Sequence, residues 1–321
     1  MGLGISVHRI PGIFRFSFDP SMQPCLGIVR SKLKISKDLG VAMFVLLGCF
    51  LDLRETQLTR GSENLRRMER HFVLVHGVMH GAWCWYKVAT LLQSVGHKVT
   101  SLDMAASGIH PKQASEVNSY REYVEPLTQF MKALPSHESV ILVGHSAGGG
   151  CISVAMEQFP EKVSVAVFVA ALMPGPNITF AALTKEFIQQ LGKAPSNERP
   201  DKKLSSTEAA TWHDLSGPYN QLSPPEDVML SKSSMRPSPS FNDYELFDKQ
   251  TTFTKENFGK VRRVYIMGDQ DMLMKEDFQK WMIELHPPNE FKKIDGSDHF
   301  LMFSTPIQLF SCLQDISHKY Y

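Results

Sequence analysis

Residues 140–150, VILVGHSAGGG, carry four aliphatic residues straight into Gly-His-Ser-Ala and then two more glycines after Gly148. A short unbroken apolar run suits a strand covered on both faces. Glycines directly behind it permit a sharp turn and a close strand–helix approach that larger side chains would block. The stretch therefore predicts a buried strand, a tight corner at Ser146, and a helix beginning at Gly148.

The same rhythm extends from His71 to the C-terminus. Strand candidates lie at 71–75, 98–102, 139–143, 163–170, 261–267 and 290–294, with helix-length segments near 82–94, 119–133, 148–158, 275–285 and 306–318. Strand–helix alternation predicts an α/β class: a mostly parallel, doubly wound sheet with helices on both faces. The interval from Met173 to Lys260 breaks the pattern, since it has no apolar run of strand quality and is rich in Pro, Ser and charge ("GKAPSNERPDKK", "KSSMRPSPS"). It reads as an inserted, mainly helical cap over about 174–259. The 321 residues, 43% of them hydrophobic, suffice to bury one large core.

Residues 1–67 differ in composition and read as an extension ahead of a 68–321 domain. Before Asp38 the only acid is Asp19, against Arg9, Arg15, Arg30, Lys32, Lys34 and Lys37 and five serines. That balance suits a transit segment or an inert, disordered extension. The apolar run 40–51 is too short to span a bilayer. A cytoplasmic location is expected, or a plastid one if 1–67 acts as a transit peptide. A net charge of +1 without a polybasic run argues against nucleic acid, and nothing points to a membrane partner. Five scattered cysteines without a CxxC argue against disulfides and zinc.

Ser146 at a strand–turn–helix corner in a G-x-S-x-G setting has the surroundings of a nucleophile elbow. A serine hydroxyl needs a general base, and among twelve histidines His299, in the "IDGSDHF" loop after the last strand, is placed to hang over the sheet edge. His145 adjoins the serine but faces away; His71, His97, His137 and His286 read as strand-edge or surface residues, and His213 lies in the cap. The orienting acid is expected after the preceding strand, where "VYIMGDQD" offers Asp269 and Asp271; the G-x-x-D spacing selects Asp271 and leaves Asp269 to cap the turn. Asp295 and Asp298 read as loop-capping residues. The oxyanion hole is expected from the main-chain N–H groups of Ala147 and Val78, the latter in "VHGVMHGAW".

From His71 onward the chain resembles the plant methylesterase and hydroxynitrile lyase family of α/β-hydrolases. The stretches that carry the likeness include "HFVLVHG", "HGAWCWYKV", "GHKVTSLDMAASGIHPKQ", "VILVGHSAGG", "VFVAALMPGPN", "SPPEDVML" and "FGKVRRVYIMGDQD". The resemblance implies an α/β-hydrolase fold, a Ser146–Asp271–His299 triad, Val78 and Ala147 at the oxyanion hole, and no cofactor or metal. The family's lyases carry threonine and lysine where this chain has Gly77 and Phe300, so the resemblance implies an esterase acting on methyl esters of small hydrophobic acids of the salicylate, jasmonate or indole-acetate class. Two other readings stand beside it, a hormone-binding receptor with vestigial turnover and a hydroxynitrile lyase. The expected partner is a small-molecule ester, with room for a homodimer.

Overall fold

The computed structural model describes residues 6–10, 13–17, 69–193, 219–241 and 244–321. The chain divides into two compact units, 1–67 and 68–321. In the first, β1 (Ser6–Ile10) and β2 (Ile13–Ser17) pair antiparallel. The apolar run 40–51 and the rest of the transit-like stretch lie outside the described residues.

The second unit is built on β3 (His71–Val75), β4 (Lys98–Leu102), β5 (Val140–His145), β6 (Val163–Val169), β7 (Arg263–Gly268) and β8 (Glu290–Ile294). They form a sheet of order β4-β3-β5-β6-β7-β8 in which every neighbouring pair is parallel. The strands whose residues are all buried, HFVLV, VILVGH and RVYIMG, occupy interior positions, and the more polar KVTSL and EFKKI take the two edges.

Side-chain alternation divides the core into two layers. Val73, Val75, Leu142, Tyr265 and Met267 face one layer, with Leu127, Met131, Ile152, Phe278 and Met282. Phe72, Leu74, Ile141, Val143, Val264 and Ile266 face the other, with Val88, Leu92, Leu309, Leu313 and Ile316. The first set of helical residues comes from α3 (Glu125–Ala133), α4 (Gly148–Gln158) and α8 (Glu276–Leu285); the second comes from α1 (Tyr86–Ser94) and α10 (Pro306–Tyr320). The short α2 (Tyr120–Tyr123) precedes α3, and α9 (Leu301–Ser304) precedes α10. Helix 82–94 of the sequence reading splits into a 3-10 turn (Ala82–Trp85) and α1.

From β3 the chain moves outward to β4, then crosses back to β5 and proceeds the other way. The strand order therefore reverses between β3 and β5, the place where open α/β sheets leave a crevice at the strands' carboxyl ends. The regular elements among the described parts of 174–259 are α5 (Phe180–Lys193), α6 (Pro225–Ser234), α7 (Tyr244–Gln250) and a 3-10 turn, Phe258–Lys260, joined by irregular stretches and one isolated bridge, Gly175 to Ile178. Residues 194–218, with the most polar stretch and His213, lie outside the described residues.

Several anchors among the described residues fasten this insertion to the sheet unit, Ser238 Oγ accepting from Met79 N (2.7 Å) among them. Fully buried Asp227 on α6 accepts from Tyr86 Oη (2.7 Å) and Lys87 Nζ. The Arg236 guanidinium donates to the carbonyls of Gly108 (3.0 Å), His110 (2.6 Å) and Lys112 (2.7 Å), while its amide donates to Met79 O (3.0 Å). Glu157 on α4 accepts from Thr254 N and Oγ1, both at 2.8 Å.

Candidate active site

Ser146 stands at the carboxyl end of β5 with φ 54°, a left-handed conformation that residues other than glycine rarely adopt. Its surroundings hold it there: Ser146 N donates to Val169 O (3.3 Å), and Ser146 O accepts from Gly149 N (3.1 Å) and Leu172 N (3.0 Å). The close approach leaves no room at Gly149, where a Cβ would collide with the carbonyl oxygen of Leu172. Glycine at that position is what lets α4 start immediately behind the serine, with the Ala147 amide among the first-turn donors that a helix leaves without an i−4 partner.

Asp271 follows β7, and His299 lies between β8 and α9, so both reach the same end of the sheet as Ser146. His299 Nδ1 donates to Asp271 Oδ2 at 2.8 Å, with both side chains 1% exposed. Asp271 Oδ1 accepts from Leu273 N (2.9 Å) and Met274 N (2.8 Å), and Gln279 Nε2 stands 3.4 Å from Oδ2. Tyr265 Oη lies 3.0 Å from Gln279 Oε1, which carries the network into β7. The carboxylate faces donors only, and Nδ1 of His299 is committed to it, leaving Nε2 as the basic nitrogen.

Asp269, the other carboxylate of that loop, instead accepts from Ser297 N (3.1 Å) and braces the acid loop against the histidine loop. Asp298 is fully buried and accepts from Phe300 N (2.9 Å), Leu222 N (3.0 Å) and Ser223 Oγ (2.9 Å), so its bonds reach beyond the loop it was expected to cap.

His71, His97 and His286 are buried; His71 opens β3 and His97 immediately precedes β4, so these two sit at strand ends as read. His71 is held by Glu138 (2.6 Å) and Thr100 (2.9 Å). His145 does not serve Ser146, yet its Nε2 donates to His299 O (2.9 Å) and its ring centroid is 4.7 Å from that of His299. It supports the base loop from below.

His76, directly after β3, contributes to the site as well. Its Nε2 accepts from Met104 N (3.1 Å), so its Nδ1 carries the proton that is donated to Gly77 O (2.7 Å). The Gly77 carbonyl and the Val78 N–H belong to one planar peptide, so this bond orients the predicted oxyanion donor. On its other side, the Val78 carbonyl accepts from His80 Nδ1 (3.1 Å). Burial pushes the pKa values of His76 and His145 down, and that of His80 down to about 4, so the surrounding imidazoles are uncharged near neutrality.

The two positions that separate esterases from lyases are both packed. A Cβ at Gly77 would lie 2.9 Å from Ser146 Cβ and 3.2 Å from His145 Nδ1, so a threonine there requires the nucleophile to shift. Phe300 is 5% exposed, stacked on His80 (4.9 Å) and edge-on to His299 (5.2 Å). An aromatic ring thus fills the place where a lyase needs an ammonium. Among the described residues no group of three or more His, Cys, Asp or Glu is arranged to hold a metal ion, and no helix is long and apolar enough to cross a membrane.

Residues 70–306 match the family described as alpha/beta hydrolase fold. Methyl jasmonate esterase 1 of Vitis vinifera is 50% identical over 266 residues, which cover 80% of this chain and 100% of that protein. Polyneuridine aldehyde esterase of Rauvolfia serpentina is 39% identical over 78% of this chain and 97% of its own length. The crystal structure of tomato methylketone synthase I complexed with 2-tridecanone superposes with a TM-score of 0.72 at 42% identity, covering 79% of this chain and 99% of that one. With a shared fold, and identities of this size over nearly the whole length of these relatives, the chain belongs to the plant methylesterase family of α/β-hydrolases.

Proposed function

We propose that this carboxylic ester hydrolase removes methanol from the methyl ester of a small hydrophobic acid through a serine acyl-enzyme. Ser146 Oγ attacks the ester carbonyl while His299 Nε2 takes its proton, and the Asp271–Nδ1 bond stabilises the resulting imidazolium. The amides of Val78 and Ala147 receive the oxyanion, His299 returns the proton to the departing methoxide oxygen, and water completes the cycle by the same route. The observation that carries the reading is the buried 2.8 Å His299–Asp271 bond at the same end of the sheet as a serine held at φ 54°.

The Vitis relative's name favours a jasmonate-type acid ahead of salicylate or indole-acetate. The test is hydrolysis by the full chain of methyl jasmonate, methyl salicylate and methyl indole-acetate, with fluorophosphonate labelling of wild type and Ser146→Ala. Methanol release together with labelling confined to wild type supports the reading. An unlabelled Ser146 with no hydrolysis, or cyanide release from mandelonitrile in place of hydrolysis, overturns it.

A further inference from the structure

Where the cap chain returns to the sheet unit, one short segment touches both loops that carry the acid and the base. Tyr219, 2% exposed, sits in the second core layer, and α6 a few residues later is pinned through Asp227. Between these anchors Gln221 Nε2 donates to Gln270 O (2.7 Å), the carbonyl of the peptide leading into Asp271. Leu222 N and Ser223 Oγ both donate to Asp298 Oδ2, at 3.0 and 2.9 Å.

Asp298 is the residue before His299, and its other oxygen accepts from Phe300 N (2.9 Å), the residue after it. One buried carboxylate therefore closes a turn around the catalytic histidine and ties that turn to the cap. The two loops are also braced to each other, Gln270 N to Ser297 O at 2.9 Å and Ser297 N to Asp269 Oδ1 at 3.1 Å. Moving 221–223 disturbs both loops, because a donor taken from a fully buried carboxylate is costly to lose.

We propose that Gln221–Ser223 is a clamp through which the seating of the cap sets the position of His299 against Ser146, with Ser223 and Asp298 as positioning residues. The clamp rests on the reading of Ser146, His299 and Asp271 as a hydrolytic triad. It couples binding to chemistry: an ester that seats the cap correctly gains rate as well as affinity, since the geometry of the base depends on a segment of the cap.

The experiment compares Ser223→Ala and Ser223→Thr in the full chain. Three measurements are made: steady-state kinetics (kcat and KM) on a p-nitrophenyl ester, the rate of fluorophosphonate labelling of Ser146, and the low-field proton resonance of the His299–Asp271 bond. Losing one hydrogen bond to a buried carboxylate is expected to lower kcat and labelling about 10-fold in S223A with KM nearly unchanged, and to shift or broaden the low-field resonance. Ser223→Thr keeps the hydroxyl and restores all three. The resonance is recorded without substrate, so it stays readable if the esterase reading fails. A resonance indifferent to S223A, a loss confined to KM, or S223T behaving like S223A overturns the clamp.

Discussion

Asp269 and Asp271 lie two residues apart on one loop, and their hydrogen bonds separate their roles. Asp271 faces only donors: His299 Nδ1 on one oxygen, two backbone amides on the other. Asparagine there must turn its amide toward a donor or force the imidazole into the wrong tautomer, so Asp271→Asn is expected to lower kcat by about 10^3- to 10^4-fold. Asp269 accepts one backbone amide, which an asparagine oxygen also accepts, so Asp269→Asn should cost less than about tenfold. Steady-state rates of the two variants decide it, and the reverse ranking makes Asp269 the orienting acid. His76 makes a second residue-scale case. Replacing it by Leu frees the Gly77–Val78 peptide to rotate, so the expected loss is in kcat, by about 10- to 100-fold, with folding retained. A kcat equal to wild type would show that the Val78 amide does not need His76. Ser146, Asp271 and His299 could be singled out in the sequence because each follows a strand in a loop of recognisable composition. His76, Gln279 and Ser223 could not, because their roles depend on partners 28, 8 and 75 residues away.

The six strands of the sheet unit emerged from sequence at nearly their observed bounds because the interior ones are continuous apolar runs, and a residue or two at each end is all that differed; β1 and β2 did not emerge. β5 runs two residues further, through His145, since the backbone keeps pairing with β6 up to the corner. The cap resisted the same reading. Its helices lean on aromatic contacts such as Phe187–Phe278 (5.4 Å) and on single polar anchors such as Arg236, neither of which leaves a periodic pattern. At this scale the elbow depends on α4 approaching the segment after β6. Gly149→Ala places a methyl against the Leu172 carbonyl, a backbone atom whose own amide is bonded to Ser146 O. The helix must back away, so a loss of about 2 kcal/mol or more in urea unfolding is expected together with slower fluorophosphonate labelling of Ser146. Unaltered stability and labelling in this variant would mean that the elbow has slack that its packing does not show.

Across the whole sheet unit the residues that build the site also tie stability to pH. His76, His80 and His145 are at most 2% exposed and their pKa values are lowered by burial, His80 to about 4. In the unfolded chain the same imidazoles titrate near 6.5. Above that value neither state carries their protons and the fold loses nothing. As pH falls below 6.5 the unfolded chain gains protons that the native site refuses, and each histidine subtracts up to about 1.4 kcal/mol per pH unit until its native pKa is reached. For His80 the full loss by pH 4 is about 3 kcal/mol. His80 alone removes about 1.4 kcal/mol by pH 5.5, and His76 and His145 act in the same direction. Glu290 acts in a lower window: its bond with Lys319 holds its pKa at about 2, so the stability it adds is present above about 4.5 and lost only as pH falls toward 2. Urea unfolding at pH 7.5, 6.5 and 5.5 therefore separates the two causes. The midpoint should fall steeply between 6.5 and 5.5, where carboxylates are still ionised. His80→Met, which removes one imidazole and its bond to Val78 O, should be less stable than wild type at pH 7.5 yet lose about 1 kcal/mol less per pH unit below 6.5. A flat profile in wild type, or an unchanged slope in the variant, would mean that the histidines around Ser146 take up protons in the native state, and the uncharged surroundings argued for the oxyanion loop would have to be given up.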